Sequence, residues 1–339
     1  MKKIYSLACA IFVAALFALV ACNDVPKNTT KESKLSVVTT IYPEFSWTKS
    51  ILGNQNNSVN LALLIKNGID LHSFKPTAQD IAKIANADMV IYVGGESDEW
   101  IEKALEATPK KGRTEINLMK VLGDRVKAEE VVEGMQAEEE HHHHGEHAEE
   151  HEHEHHDEEV ENDEHVWLSL KNAEIIVNKI AEELSKLDAA HATVYKRNAD
   201  AYIAQIQSLD KEYREAVNGA ARKTVLFGDR FPFRYLVDDY GIKYYAAFVG
   251  CSAESEASFE TIAFLAGKMD AESLPVIFTI ENSNGKIAKA VLAASKNSKN
   301  AQILAINSMQ SITEAQIAEG VDYLSLMKSN LYVLKKALN

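Results

Sequence analysis

A run of 50 residues without glycine or proline, residues 169–218, constrains the fold of this chain more than any other feature. Glycine and proline commonly end helices, so their absence favours long helical segments. Late in the run, apolar side chains recur at the three- and four-residue steps of one helix face, at Tyr202, Ile206, Leu209, Tyr213 and Val217. A helix that continues from about residue 190 to Gly219 would have about 28 residues and measure roughly 42 Å. This length suits a strut between two lobes.

Short β-rich segments alternate with helical patterns on both sides of this helix. Before it, strands are predicted at 36–40, 59–64 and 89–93, with helices at 44–52, 77–85 and 100–107. After it, strands are predicted at 223–227, 243–248, 276–280 and 302–306, with helices at 232–240, 258–271, 286–295 and 321–338. The pattern predicts an α/β fold of two lobes with mainly parallel sheets flanked by helices, joined by one long rigid helix. Ligands of such sheets bind beyond the carboxyl ends of the strands.

The first 22 residues have the pattern of a targeting signal. Lys2 and Lys3 precede an apolar run that ends in Leu-Val-Ala-Cys at residues 19–22. This tetrapeptide resembles the lipobox of bacterial lipoproteins, whose cysteine is acylated; an uncleaved membrane anchor is the alternative. We therefore expect lipid on Cys22 and an extracytoplasmic protein anchored to the cell membrane, in a periplasm or at the cell surface. Of the three cysteines, Cys9 leaves with the signal, and Cys251 is left without a disulfide partner.

The predicted organisation follows from these segments. It comprises a signal peptide (1–22), a flexible tether (23–34), an N-terminal α/β lobe (35–189) that contains an acidic insert (128–164), a linker helix (190–218) and a C-terminal α/β lobe (219–339).

The acidic insert concentrates the net charge of −14 in one segment. Residues 128–164 contain 17 Asp and Glu and no Lys or Arg, and without these 17 charges the rest of the chain carries only +3. No basic stripe remains to neutralise phosphates, which argues against nucleic acid as a partner. The insert also holds nine of the twelve histidines: His141, His142, His143, His144, His147, His151, His153, His155 and His156. Since imidazole is a common transition-metal ligand and apolar residues are almost absent, the insert is predicted to be a disordered auxiliary metal loop.

The other histidines are His72, His165 and His191. His191 lies on the long helix and is assigned no role. The loops around the other two read H-S-F-K-P-T (72–77) and D-E-H-V-W-L (163–168), and Y-L-V-D-D-Y-G follows at 235–241. With D-R-F-P-F-R-Y-L at 229–236 and C-S-A-E-S-E-A-S at 251–258, these segments resemble the metal-binding lipoproteins of bacterial zinc and manganese ABC importers, the ZnuA/TroA type of solute-binding protein, in its zinc branch. The resemblance spans roughly residues 35–339.

The resemblance implies one metal ion bound between the lobes by four side chains, two from each lobe. His72 and His165 would be the ligands from the first lobe. An ungapped match places Arg230 at the third ligand position, but a guanidinium stays protonated and cannot coordinate a cation. Asp229, one residue earlier, is therefore the predicted third ligand.

The fourth position also departs from the family pattern, because Asn307 stands where the family has an aspartate. An amide oxygen is a weaker zinc donor than a carboxylate. Glu281, which follows a predicted strand, is kept as a supporting or alternative ligand. The glycine pair at 94–95 predicts a turn that brings the chain to the cleft, and Glu96 after it is a candidate for the border of the site.

The predicted function is that of a binding protein that delivers Zn²⁺ to an ABC importer permease, with the histidine-rich loop collecting or sensing metal. Histidine ligation favours zinc over Mn²⁺, which prefers oxygen donors. A manganese carrier and a surface lipoprotein for metal buffering or cell adhesion remain alternatives. A zinc hydrolase would keep one open position with Glu281 as base, but no H-E-x-x-H signature is present, so we predict no enzyme. A monomer is expected.

Overall fold

The computed structural model describes residues 34–136, 161–252 and 256–339. The predicted signal, Cys22 and the nine-histidine tract lie outside the described residues, so their assignments stay predictions. Residues 35–339 form one compact unit. None of the helices in the described ranges combines the length and the apolar character needed to span a bilayer.

The first lobe is built on four parallel strands in the order β2-β1-β3-β4. The strands are β1 (Leu35–Thr39), β2 (Val59–Leu63), β3 (Met89–Tyr92) and β4 (Thr114–Asn117). The helices are α1 (Tyr42–Leu52), α2 (Ala78–Asn86), α3 (Glu99–Ala107), α4 (Leu118–Leu122) and α5 (Leu170–Leu187). All four side chains of β3 are buried, as expected for a central parallel strand covered on both faces.

The second lobe repeats this plan with parallel strands in the order β6-β5-β7-β8. The strands are β5 (Thr224–Phe231), β6 (Lys243–Val249), β7 (Val276–Ile280) and β8 (Gln302–Ile306). The helices after the long connecting helix are α7 (Arg234–Tyr240), α8 (Phe259–Glu272), α9 (Lys286–Ala294), α10 (Glu314–Ala318) and α11 (Tyr323–Leu338). The prediction of two α/β lobes with parallel sheets is confirmed.

The long connecting helix, α6 (Ala192–Asn218), has 27 residues and buries its predicted apolar stripe. The glycine- and proline-free run nevertheless forms two helices, because the chain turns at Asp188 between α5 and α6. The Asp188 carboxylate accepts hydrogen bonds from Tyr195 Oη at 2.6 Å and pairs with His191 Nδ1 at 2.8 Å. These contacts hold the start of α6 against the turn at Asp188.

The two lobes share one continuous hydrophobic core. The Trp167 indole at the base of the cleft donates from Nε1 to the backbone oxygen of Ser308 in the second lobe, at 2.8 Å. Tyr323, at the start of α11, donates from its hydroxyl to the Trp167 backbone oxygen at 2.7 Å. Its backbone nitrogen donates to Ser46 Oγ on α1 at 3.0 Å. The final helix therefore ties the second lobe to the first.

The described parts of the acidic insert differ from the prediction of a structureless loop. Residues 128–136 lie against the second lobe, where Gln136 N donates to Ala247 O at 2.9 Å. The two stems of the insert pair with each other, since Ala128 and Asn162 form an antiparallel bridge. The prediction does not hold for residues 128–136 and 161–164, because their polar groups find partners that the composition alone could not reveal.

The strand β4 and the short helices α4 and α10 were not predicted from the sequence. The strand has the sequence T-E-I-N and lies at the sheet edge, where only its last two side chains are buried. A four-residue polar edge strand carries too weak an alternation to be recognised by pattern.

Candidate metal site

His72 lies in a short turn, Leu71–Ser73, shortly after β2. The Asp70 side chain caps this turn by accepting a hydrogen bond from His72 N at 3.0 Å. The ring nitrogen Nδ1 lies 2.6 Å from Ser97 Oγ, which follows β3. Thr77 then caps α2, with its hydroxyl accepting from Asp80 N at 3.3 Å. The motif at residues 72–77 thus presents an imidazole and starts a helix.

His165 is fully buried where the insert rejoins the fold. Asp163 Oδ1 accepts a hydrogen bond from His165 N at 2.8 Å and lies 2.9 Å from His165 Nδ1. Gly250, after β6, packs against the ring, since a Cβ there would lie 3.0 Å from His165 Cε1. The Asp163 carboxylate holds the proton on Nδ1, which leaves the Nε2 lone pair free to bind a metal.

The two imidazoles point their Nε2 atoms at each other, at a distance of 3.3 Å. Two nitrogens at about 2.05 Å from one tetrahedral zinc ion would be about 3.3 Å apart. Burial, followed by the neighbouring His165, lowers the pKa of His72 to about 3. A neutral imidazole is the form that binds metal. The spacing and the orientation of the pair, and the lowered pKa of His72, therefore fit a single zinc ion.

Gln310, in the loop after β8, closes the site from the second lobe. Its Nε2 lies 2.8 Å from His72 Nε2 and 3.0 Å from His165 Nε2. Its Oε1 accepts a hydrogen bond from Ser308 Oγ at 2.9 Å, which supports the orientation in which the amide N–H groups face the rings. The Gln310 amide donates to the lone pairs of both Nε2 atoms, so an ion bound by both nitrogens must displace this amide.

Cys251, two residues beyond β6, completes a group of potential metal ligands with the histidines. One ring nitrogen from each histidine and Cys251 Sγ lie within 4.8 Å of one another. The thiol is half-buried and free, and its backbone nitrogen donates to Glu129 Oε1 at 3.2 Å. Burial, and then the carboxylates of Glu129 and Glu164, raise the pKa of this thiol. The sequence analysis assigned Cys251 no role.

Asp229 and Asn307 are the ligands predicted from the second lobe, and the structure shows hydrogen bonds within their own segments of the chain for both. Asp229 Oδ1 accepts a hydrogen bond from Arg230 N at 3.0 Å, and the Asp229 side chain does not join the described cluster of His and Cys ligands. Asn307 Oδ1 accepts from Met309 N at 2.8 Å, along its own loop. The structure brings together only the two histidines of the predicted set, and the four-ligand assignment stays a prediction.

Glu281 has the supporting position expected for it. Its carboxylate accepts hydrogen bonds from Ser308 N and Ser308 Oγ, both at 2.7 Å, and from Gln310 N at 3.2 Å. It therefore fixes the loop that aims Gln310 at the histidines. Glu96 is exposed, and Ser97 beside it is the residue that contacts His72. The glycine turn before Glu96 is present, with Gly95 at φ +97° and too close to Glu164 for a side chain.

A cleft of about 360 Å³ opens beside the histidines. Its walls include three carboxylates, Asp70, Asp229 and Glu281, and the ammonium group of Lys286. Arg230 also lines the cleft and forms an ion pair with Asp70 across the two lobes. A larger cavity of about 800 Å³ lies along α6 and contains none of the metal-site residues. The smaller cleft is the one that contains Asp229 and Glu281, two of the predicted site residues.

Residues 37–337 match the family described as the periplasmic component A of the zinc-uptake complex, ZnuA. The chain belongs to the ZnuA family. It is 31% identical to the high-affinity zinc uptake system protein ZnuA of Bacillus subtilis, with 96% of each chain covered. It is 33% identical to the zinc-binding lipoprotein AdcA of Streptococcus pneumoniae over 99% of this chain and 61% of that protein, so it spans well under two thirds of that relative.

Solved structures agree with this assignment. The Zn(II)-bound ZnuA-like domain of Streptococcus pneumoniae AdcA is 29% identical, with 90% of this chain and 99% of that chain covered and a TM-score of 0.67. The metal-dependent lipoprotein YcdH of Bacillus subtilis is 27% identical over the same shares, with a TM-score of 0.69. The family comprises solute-binding components rather than enzymes, which confirms the prediction that the chain is a binding protein.

Four residues around the histidines were missed: Asp163, Cys251, Gln310 and Ser97. Cys251 follows β6, and strand ends are where the fold class predicts ligands, so this position could have been found. The Asp-x-His spacing of Asp163 is likewise a recognisable signal for a histidine held by a carboxylate. Nothing local in the sequence distinguishes Gln310 or Ser97, because their roles depend on how distant loops meet.

We predict that Asp163→Asn weakens zinc binding by about 10- to 100-fold, the usual effect of altering the partner of a ligating histidine. The asparagine side chain lacks the negative charge that holds the proton on His165 Nδ1. Isothermal titration calorimetry of both proteins measures the change. Asp188→Asn is the matched control, since Asp188 contacts His191 in the same way but lies away from the site. Equal weakening in the two variants would contradict the assignment.

A buried carboxyl group lies beneath the site at Asp98. Its Oδ2 accepts hydrogen bonds from Val93 N at 2.7 Å and from Gly94 N at 3.4 Å. Burial, with Glu164 as the next group that favours protonation, raises the pKa of Asp98 to about 7. Because folding raises the pKa of this carboxyl group, its contribution to the stability of the fold is complete below its unfolded pKa of about 3.9. This contribution is lost as the pH rises through the folded pKa of about 7.

We predict that Asp98→Asn, which mimics the protonated acid, changes the pH dependence of stability. Between pH 5.5 and 7.5 the wild type should lose on the order of 2 kcal/mol relative to the variant. The free energies of unfolding of the two proteins should be subtracted from each other. The lowered pKa of His72 makes both proteins more stable as the pH rises, and this effect cancels in the difference. Urea unfolding of metal-free protein at the two pH values measures it, and parallel curves would contradict the prediction.

Proposed function

We propose that this protein binds one zinc ion between its lobes at His72 and His165 and delivers it to a membrane importer of the ABC class. The 3.3 Å separation of the two Nε2 atoms, with both lone pairs turned inward, carries the proposal. It matches the geometry of one tetrahedral ion without movement of either ring. The zinc-binding relatives and the Zn(II)-bound domain of similar structure support the same metal.

Zinc is favoured over manganese by the donor atoms. The cluster offers two imidazole nitrogens and one sulfur, whereas Mn²⁺ prefers carboxylate, carbonyl and water oxygens. The carboxylates Asp229 and Glu281 line the approach rather than the cluster. We infer that these carboxylates attract the cation and that the imidazole rings of His72 and His165 retain it.

The stems of the acidic insert support a collecting role for its histidines. Glu129 N donates to Glu161 O at 2.8 Å, which joins the two stems. The same Glu129 contacts Cys251, and Asp163 on the other stem contacts His165. Both ends of the loop therefore begin beside the metal cluster. Histidines on a tract tethered there raise the local zinc concentration at the cleft, as linked sites do.

Deletion of residues 137–157 tests the loop. The deleted protein should lose its weakly bound zinc ions and keep one tight ion. A second variant of full length, with the nine loop histidines replaced by asparagine, separates loss of ligands from shortening of the chain. Unchanged zinc stoichiometry in both variants would exclude a collecting role, while the tight site would remain.

Delivery to an importer requires anchoring and uptake, which we assign to lipid on Cys22 and to a partner permease. Deletion of the gene in its host should impair growth under zinc limitation, and the wild-type gene should restore it. The double variant His72→Ala, His165→Ala should fail to restore growth, whereas Cys22→Ser should leave the protein in the soluble fraction. Normal zinc uptake in the deletion strain would contradict a transport role.

A further inference from the structure

The family resemblance implies that one metal ligand of the second lobe lies on β5. Arg230 stands there, and its guanidinium is paired with Asp70 of the first lobe. This ion pair joins the lobes, and Asp70 neutralises the charge of Arg230. Asp229 on the same strand lies outside the described cluster of His and Cys ligands, so we look to the neighbouring strand for the next protein donor.

The neighbouring strand places Cys251 at this end of the sheet. In the parallel register of β5 with β6, Arg230 pairs with Phe248 and Phe231 pairs with Val249. Gly250 then lets the chain pass close to His165, and a side chain at this position would crowd both His165 and Phe231. The next residue is Cys251, whose sulfur lies within 4.8 Å of both histidines.

We propose that Cys251, as a thiolate, is the third protein ligand of the zinc ion held by His72 and His165. This inference rests on the proposed zinc-binding function and names the donor that the second lobe contributes. A tetrahedral ion bound by imidazole and thiolate has nitrogen and sulfur about 3.6 Å apart, and the cluster limit of 4.8 Å is close to this spacing. The S–H proton passes to solvent as the Zn–S bond forms, and no oxidant is required.

A thiolate also accounts for the departures of this chain from the family pattern. An arginine replaces one donor at residue 230, and the amide Asn307 replaces a carboxylate. A sulfur ligand restores one negative charge to the site. It also makes the site softer, which favours zinc over manganese more strongly than histidine does alone.

Cys251→Ser tests this ligand in the full-length protein with the loop histidines replaced by asparagine. Zinc affinity should fall at least about 10-fold, the lower end of the change seen even for partners of ligands. Co²⁺ bound to the parent protein should show thiolate-to-metal charge-transfer absorption in the near ultraviolet, and the variant should lack it. Zinc should also slow alkylation of Cys251 by iodoacetamide, read by peptide mass mapping separately from Cys9 and Cys22.

Asp229→Asn is the comparison variant, because the sequence analysis predicted Asp229 as the third ligand. It should retain the thiolate-to-cobalt absorption, which distinguishes a carboxylate that attracts the cation from the residue that ligates it. Equal zinc affinity of Cys251→Ser and its parent, with alkylation unaffected by zinc, would overturn the proposal for Cys251 while zinc binding stands. Failure of the parent to bind zinc through His72 would instead overturn the proposed function itself.

Discussion

Replacement of His72 by alanine should reduce zinc affinity by more than about 100-fold. Substitution of a residue that only hydrogen-bonds to a metal ligand typically lowers metal affinity by about 10- to 100-fold. His72→Ala removes one of the two nitrogen donors itself. The loss corresponds to more than about 2.7 kcal/mol of binding free energy. His165→Ala should have the same effect, since its Nε2 lies 3.3 Å from that of His72. Competition with a chromophoric zinc chelator measures both affinities.

The loop histidines should first be replaced by asparagine, so that only the cleft site is measured. His191→Ala is the matched control, because His191 also pairs with an aspartate but lies between α5 and α6. It should bind zinc like its parent. Circular dichroism confirms folding of each variant. Wild-type affinity in both His72→Ala and His165→Ala would show that zinc binds elsewhere.

Replacement of Trp167 by alanine should destabilise the fold by about 3–5 kcal/mol and weaken zinc binding as well. The side chain is fully buried, and removal of a buried aromatic ring of this size leaves a large cavity. It also removes the hydrogen bond to Ser308 that joins the lobes. The ring centroid lies 5.2 Å from that of His165, so the cavity frees a zinc ligand to move. We expect a loss of zinc affinity of about 10-fold or more.

Trp47→Ala provides the control for this double effect. Trp47 is equally buried and packs on Tyr323 with ring centroids 5.0 Å apart, within α1 and away from the cleft. Urea unfolding followed by circular dichroism should show a comparable loss of stability in both variants. Zinc affinity, measured without denaturant, should fall only in Trp167→Ala. Equal zinc affinities would mean that Trp167 supports the fold but does not position His165.

The architecture and the first-lobe histidines were predictable because their signals are local. Short segments of the sequence carry the pattern of alternating strands and helices, and the apolar stripe on α6 repeats over many turns. His72 and His165 lie in motifs whose neighbours determine the turn, such as Asp70 and Asp163. Local hydrogen bonds of this kind position a side chain before any distant contact forms.

The second-lobe side of the site was harder to predict because it depends on tertiary register. Asp229 was chosen for its charge at the end of β5, but the cleft at that point is shaped by the pairing of Arg230 with Asp70. Cys251 reaches the histidines through the register between β5 and β6 and through the close approach of Gly250. Gln310 reaches them from a loop held by Glu281. None of these contacts has a signature at fixed sequence spacing.

Competitive titration with zinc and manganese, on the protein whose loop histidines are replaced by asparagine, tests the central claim most directly. The protein with its loop histidines replaced by asparagine should bind one zinc ion tightly, and excess Mn²⁺ should not displace it, because nitrogen and sulfur donors disfavour manganese. A site that prefers manganese, or the absence of tight zinc binding while the protein is folded, would contradict the account of His72 and His165 as a zinc pair.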